Sequence, residues 1–260
     1  MKTALITGAS SGIGKELAYI HAKNNGNLVL VARNLDNLKK IKDDLKSRFK
    51  ISIHIISKDL TKADAPQEVY DEVISENIKI DYLINNAGFG GVGRFHERNL
   101  TDDLNMIQLN VITLTALTHL FLKDFLKTNT GSILNVSSTA SYMPGPLQSV
   151  YFATKAFVTS FTNAIAEECS ATNVSVTNLM PGATETNFGA ISGMDKTDLF
   201  KKTASANSVA RDGYKAMING KLDCVSGLTL SQKILISLIP ITPKKIILKV
   251  VKKLQKTKEQ

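Results

Sequence analysis

Hydrophobic positions along this chain fall into two alternating patterns. Short, nearly continuous apolar runs lie near residues 3–7, 27–32, 51–56, 80–85, 131–137 and 173–180. Between them are longer stretches of mixed character, near 12–24, 35–48, 64–77, 100–126 and 149–171. Compact apolar runs fit strands buried on both faces, and the longer amphipathic stretches fit helices with one apolar side. The alternation predicts an α/β fold, a doubly wound parallel sheet with helices on both faces. Thr101-Asp102 and Ser149 are the expected starts of the last two helices. Residues 1–228 are expected to form one domain, and 229–260 a C-terminal helical extension.

Composition narrows the picture only a little. At 260 residues the chain is long enough for one full core and too short for two ordinary domains. Met1-Lys2 leads at once into the first apolar run, without the pattern of a secretory signal, so a cytoplasmic location is expected. The two cysteines, Cys169 and Cys224, and the four scattered histidines have no metal-ligand spacing, so reduced thiols and no metal are expected. The net charge of +9 raises nucleic-acid binding, but residues 231–260 hold eight Lys and one Glu and so carry seven of those charges. The remaining body is nearly neutral and poor in aromatics, so no nucleic-acid partner is expected.

The chemistry-bearing residues lie after the ends of the predicted strands, where ligands of such sheets bind. Thr7-Gly8-Ala-Ser10-Ser11-Gly12-Ile13-Gly14 follows the first strand and opens the first helix. Backbone N–H groups and the helix dipole there suit a pyrophosphate. Gly88-Phe-Gly90-Gly-Val-Gly93 also fits a G-x-G-x-x-G pattern, yet no helix opens on its last glycine, so it reads as a loop at the pocket mouth. Tyr151 and Lys155 are four apart on a helix, which puts the ammonium near the phenol. A nearby cation favours phenolate and is expected to lower the phenol's pKa towards the working range. Ser138 would hydrogen-bond a substrate oxygen, with Ser137 as the alternative serine. A second pair, Tyr19 and Lys23, has no comparable serine and reads as helix surface.

In this order, the motifs resemble those of the short-chain dehydrogenase/reductases, in their single-domain form, over roughly residues 2–190. The resemblance implies a Rossmann-like fold and a carbonyl-reducing or alcohol-oxidising enzyme. It implies a cofactor loop at Thr7, Gly8, Ser10, Ser11, Gly12, Ile13 and Gly14, an adenine contact at Asp59-Leu60, and a ribose-side element at Asn86-Ala87-Gly88. Asn110, Ser138, Tyr151 and Lys155 match the family's catalytic tetrad, in which the Asn holds a water linked to the Lys. Pro181-Gly182-Ala-Thr184-Glu-Thr186 matches the segment that holds the nicotinamide carboxamide. Asn110 could instead merely cap or kink its helix, and Asp59 could end a strand.

Charge bears on the cofactor. NAD-binding members carry an acidic residue just after the second strand, whereas this chain has Ala32 followed by Arg33-Asn34. A guanidinium suits a 2′-phosphate, so NADP(H) is expected over NAD. A non-catalytic NADP-binding redox sensor is the alternative. It would have no need for Ser138, Tyr151 and Lys155 in register.

The family pattern fades after about residue 190, where the usual seventh-strand stretch is missing. A tetramer is therefore in doubt, and a homodimer through the helices near 100–126 and 149–171 is expected. The substrate pocket is expected from 89–100, 140–150 and 183–205. Phe89, Phe95, Met143, Leu147, Phe188 and Met194 there point to an apolar aldehyde, ketone or secondary alcohol. In the tail, Ile246, Ile247, Val250, Val251 and Leu254 share one helical arc, opposite Lys245, Lys249, Lys252, Lys253 and Lys256. Two readings stand: the apolar face docks on the fold or a second subunit, or 243–260 makes a peripheral contact at the inner membrane surface.

Overall fold

The computed structural model describes residues 1–197, 200 and 202–256. Positions 198, 199 and 201 of the expected pocket segment and 257–260 of the tail lie outside the described residues. The chain runs β1 (Thr3–Thr7), α1 (Gly12–Lys23), β2 (Asn27–Ala32), α2 (Leu35–Arg48), β3 (Ile53–Ser57), α3 (Ala65–Ser75) and β4 (Tyr82–Asn85). It continues through α4 (Leu100–Ile107), a π-helical turn over Gln108–Thr113, α5 (Leu114–Thr128), β5 (Gly131–Val136), α6 (Ser149–Glu168) and β6 (Val174–Pro181). The last part holds β7 (Thr184–Glu185), α7 (Asn187–Ser192), β8 (Ala204–Ser205), α8 (Ala206–Ile218), β9 (Asp223–Ser226), α9 (Leu230–Ser237) and α10 (Lys244–Gln255).

Seven strands form one parallel sheet in the order β3-β2-β1-β4-β5-β6-β9. Alternate residues of each strand face opposite layers, which is why the strands read as unbroken apolar runs. Ala4 and Ile6 pack with Leu17 of α1, Leu38 of α2 and Met217 of α8. Leu5, between them, packs with Val69 of α3 and with Leu117, Phe121 and Phe125 of α5. The predicted doubly wound sheet is the observed one.

Several boundaries differ from the sequence reading. α4 begins at Leu100, as the range 100–126 predicts, but its start is set by Asn99, whose side chain accepts from Thr101 N at 2.8 Å, and not by Thr101-Asp102. The expected helix at 100–126 is interrupted by the π-helical turn, which carries Asn110 inward to 1% exposure. The seventh strand, β9, is absent from the six expected. It is four residues long and partly exposed, so its sequence has no apolar run to announce it, and pairing with β6 supplies what propensity does not. α8 was also missed. It buries Val209, Ala210 and Met217 against the sheet and α1.

Under the carboxyl ends of β4, β5 and β6 runs a buried polar rung. Asn85 Nδ2 donates to Asn135 Oδ1 at 2.9 Å and to Thr118 Oγ1 of α5 at 3.0 Å, and Asn135 Nδ2 donates to Thr162 Oγ1 of α6 at 3.0 Å. Buried amides bind only partners in fixed directions, so this rung sets how α5 and α6 sit on the sheet.

Candidate active site

At the carboxyl edge of the sheet a cavity of about 1050 Å³ opens between the strand ends and the C-terminal helices. It is lined by Gly8, Ser10, Ser11, Gly12, Ile13, Arg33, Asn34, Asp59, Leu60, Asn86, Ala87 and Gly88 on the side of β1 to β4. Ser138, Tyr151, Lys155, Pro181, Gly182, Thr184 and Thr186 line it on the side of β5 and β6. Three expected site residues, Thr7, Gly14 and Asn110, do not line it and sit behind the wall.

Each of those three shapes the wall instead. The Thr7 hydroxyl accepts from the Asn86 and Ala87 N–H groups, both at 3.0 Å, fastening the β4 end to the β1 loop. A Cβ at Gly14 would lie 2.4 Å from both Asn86 Nδ2 and Gly8 O, so only glycine lets α1 start this close to the loop. Asn110 donates from Nδ2 to Phe89 O at 3.0 Å and to Thr154 Oγ1 at 3.1 Å, while its Oδ1 accepts from Phe89 N at 3.1 Å. Its side chain is committed to the 88–93 loop, and a water would have to be held by other atoms of the turn. Gly88 fills the gap between Asn110 and Lys155, where a Cβ would lie 2.9 Å from Asn110 Oδ1 and 3.5 Å from Lys155 Nζ.

Tyr151 and Lys155 project from the first turns of α6 and are both buried. Lys155 Nζ donates to Val136 O at 2.8 Å and lies 5.9 Å from the Tyr151 ring centroid. Burial lowers the lysine's pKa from 10.5 to about 8. Burial also raises the Tyr151 phenol to about 12, with the Ser138 hydroxyl beside it acting to lower it. This reverses the expected downward shift, because desolvation outweighs a cation whose hydrogen bond is spent on a carbonyl. The phenol therefore keeps its proton at neutral pH, the form an acid needs in order to donate. Ser137 is excluded as the reactive serine: its hydroxyl donates to Lys155 O at 2.8 Å and pairs with Thr159 Oγ1 at 2.8 Å. Tyr19 is a surface residue, with its hydroxyl donating to Asp44 Oδ2 at 2.6 Å.

The glycine-loop side fits a dinucleotide. α1 opens without a side-chain cap and with no acidic residue in its first turn, so its first N–H groups are left for an anion beside the cavity. Arg33 is exposed at the cavity wall and makes no ion pair among the described residues. At Asp59 burial pushes the pKa up, but the Thr61 N–H and hydroxyl, with help from Arg33, hold it below the ordinary value. Asn34 serves first as the N-cap of α2, accepting from Asn37 N at 2.8 Å.

A family model described as short chain dehydrogenase matches residues 2–196. The chain belongs to this family. The short-chain dehydrogenase is 37% identical over 195 residues to the NADP-dependent 3-hydroxy acid dehydrogenase of Schizosaccharomyces pombe, a match covering 73% of this chain and 74% of the yeast one. It is 34% identical over 203 residues to 17-beta-hydroxysteroid dehydrogenase type 3 of Homo sapiens, covering 77% of this chain but only 64% of the human one. Among solved structures it resembles a short-chain dehydrogenase from Sphingobium yanoikuyae in complex with NADPH, with TM-score 0.82, 28% identity and coverage of 90% and 91%. The protein is thus an oxidoreductase acting on CH–OH or C=O groups.

The substrate side of this dehydrogenase departs from expectation in one large respect. Phe89, Met143, Phe188 and Met194 line the cavity as expected, but Phe95 and Leu147 do not. Phe95 lies largely exposed, on a separate shallow depression with Ile107 and Val111. The missing wall comes from the tail: Leu235, Ile239, Ile247 and Val251 all line the cavity. Ile247 and Val251 share a packed cluster with Tyr151, Phe152 and Met194. Periodicity marked α10 as amphipathic, but nothing in the sequence says what its apolar side covers.

Burial of Lys155 has a measurable consequence. Its lowered pKa means that the charged form is a cost to the folded, cofactor-free protein below pH about 8, and that cost fades as pH rises towards 10.5. Lys155→Met should remove a penalty of order 2–3 kcal/mol at neutral pH and lose about 1 kcal/mol with the Val136 hydrogen bond. Urea unfolding should therefore find the variant more stable than the parent at pH 7, with the gap closing or reversing by pH 10. A variant less stable at pH 7 by a margin independent of pH would contradict this account.

Proposed function

We propose that this dehydrogenase moves a hydride between NADP(H) and an apolar aldehyde, ketone or secondary alcohol, with Tyr151 as general acid/base. What carries the reading is the joint burial of Tyr151 and Lys155 on one wall of the cavity, with Ser138 beside the phenol. A non-catalytic NADP sensor is not favoured, since a buried lysine and phenol cost stability that such a sensor has no use for.

Bound NADPH would supply the hydride. On the protein side, the protonated Tyr151 phenol donates its proton to the carbonyl oxygen as negative charge develops there, and Ser138 donates a hydrogen bond to the same oxygen. The nearby Lys155 ammonium then stabilises the phenolate left behind. Asn110 positions the loop at Phe89 and, through Thr154, the turn that carries Tyr151, so its role is orientation. Water is kept out by Phe188, Met194 and the tail residues around the phenol.

Arg33, with Lys62 also on the cavity wall and Lys58 there paired with Glu68 at 2.9 Å, supports NADP(H) over NAD, since unpaired cations suit a 2′-phosphate. Two of the three similar proteins above name NADP or NADPH, while another solved neighbour is a complex with NAD. A homodimer is supported by exposed apolar side chains on two neighbouring helices: Leu104, Ile107 and Ile112 around α4 and its π turn, and Phe157 on α6. The whole Leu100–Thr128 helix is apolar enough by length and composition to span a membrane. It packs in the domain against α3 and the sheet, so its apolar outer side reads as a subunit contact.

A peripheral membrane contact is also part of the reading. The arc expected as one apolar face divides: Ile247 and Val251 are buried, whereas Ile246 and Val250 are about half exposed. Along the chain, the exposed pair extends a ridge of exposed apolar side chains at Ile234, Leu235, Leu238 and Ile241, where Ile241 is 79% exposed. Lys233, Lys245, Lys249 and Lys252 flank this ridge in sequence, a combination suited to an anionic lipid surface. Leu235, Leu238, Ile246 and Val250 also line the cavity, so the same residues face it and the exterior.

Three experiments test these points. Tyr151→Phe should cut turnover at least ~10²-fold while NADPH still binds, whereas Tyr19→Phe should change little. In the same assays Arg33→Ala should weaken NADPH by about 1.5–3 kcal/mol and spare NADH; equal losses for both would make Arg33 structural. Sedimentation should give twice the chain mass, with Phe157→Glu shifting it to monomer; a monomeric parent would remove the dimer. The protein should pellet with anionic vesicles at low salt and be released at high salt. Ile241→Ser with Lys249→Glu, which leave the cavity wall in place, should abolish pelleting, and a parent that stays in the supernatant would end the membrane reading.

A further inference from the structure

The substrate half of the cavity differs in chemistry from the cofactor half. Charged residues on the lining are Arg33, Lys58, Asp59 and Lys62 after β2 and β3, Asp102 at the start of α4, and Lys155 itself. Among the described residues, segments 138–152, 183–200 and 228–255 add no charged side chain to it. The lysines of α10 point elsewhere. A carboxylate or phosphate on the substrate would therefore enter this half without a counter-ion, at a large desolvation cost.

Two polar side chains in that half carry unpaired buried atoms: Gln148, at Oε1 alone, and Gln255, at both ends of its amide. Ile247, Val251 and Gln255 are four apart on α10 and form one buried stripe, the first two packed in the cluster that holds Tyr151. Gln255 lines the cavity, is 0% exposed, and has no hydrogen-bond partner at either Nε2 or Oε1. It is the single described side chain with two orphaned polar atoms. An apolar residue would continue the stripe without leaving a buried donor and acceptor unpaired. Ser138 and Tyr151 are already committed to the reacting oxygen, so Gln255 is free for a second polar group.

Resting on the carbonyl-reductase reading above, we infer that Gln255 is a specificity residue, and that the substrate is an uncharged, elongated apolar carbonyl or alcohol with a second, neutral group that both donates and accepts a hydrogen bond. A hydroxyl or carboxamide meets the amide on both counts. A carboxylate could use only its donor, and would be an unpaired charge.

The test is a series of long-chain ketones of graded length, each ending in a methyl, hydroxyl, carboxamide or carboxylate group, assayed with NADPH on the parent, Gln255→Leu and Gln255→Lys proteins. At the best length the parent should favour hydroxyl or carboxamide over methyl, and disfavour carboxylate at least ~10-fold in kcat/KM. Gln255→Leu should erase the first preference by bringing the hydroxyl and carboxamide ketones down relative to the methyl one, and unfold at no lower temperature than the parent. Gln255→Lys should bring carboxylate up relative to methyl, which a purely structural role would not do. Equal loss on all end groups in Gln255→Leu, or a parent that accepts carboxylate as well as hydroxyl, overturns the inference. A parent that reduces none of the ketones while binding NADPH overturns the carbonyl-reductase reading instead.

Discussion

Everything in the site leans on a reciprocal clasp between the end of β5 and the second turn of α6. Lys155 Nζ donates to the carbonyl of Val136, and the carbonyl of Lys155 accepts from the hydroxyl of Ser137, both at 2.8 Å. Two bonds running in opposite directions between the same two segments fix both the distance and the rotation of the helix about its axis. Tyr151 lies one turn before Lys155, so its phenol is aimed by the same two bonds. Ser138 follows directly after the clasped residues of β5, and its hydroxyl, which accepts from Ala140 N at 3.1 Å and donates to Pro181 O at 3.5 Å, sits beside the phenol.

The clasp is held in turn from below and from the side. The Asn85–Asn135–Thr162 rung anchors α6 to the sheet one layer deeper. Asn110, turned inward by the π-helical turn, reaches both Phe89 and Thr154 and so ties the 88–93 loop to the turn bearing Tyr151. On the far side, Thr7 and Asn86 bind the glycine loop to β4. These are short, directional contacts between buried groups, and they make the positions of the Tyr151 phenol and the glycine loop mutually dependent. The cost is visible at Lys155 and Tyr151, whose ionised forms are both disfavoured by the burial that positions them.

The tail gives the same site its roof. α10 buries Ile247 and Val251 against the cluster around the phenol and leaves Ile246 and Val250 at the mouth. A helix that is apolar over so wide an arc can serve two surfaces at once, one inside the cavity and one outside. Excluding water from the phenol and offering apolar surface to the exterior are then two consequences of a single stripe.

The sequence by itself determined the sheet, most of its helices, and the strand ends where the chemistry gathers. Those features rest on short-range causes: apolar runs for strands, 3.6-residue spacing for helices, glycines where backbone must approach backbone. It also grouped Ser138, Tyr151 and Lys155, which line one cavity, because a fixed spacing on one helix already brings two of them together. Tertiary structure decided the rest. It placed Thr7, Gly14 and Asn110 behind the cavity wall, since whether a side chain faces a cavity or a neighbouring loop depends on contacts far apart in the chain. It pushed the Tyr151 phenol up where charge alone argued for down, because desolvation is set by everything packed around the group. It added a seventh strand with no apolar run of its own, and it placed α10 over the active cavity, because an amphipathic pattern states that one side will be buried and is silent about what will bury it.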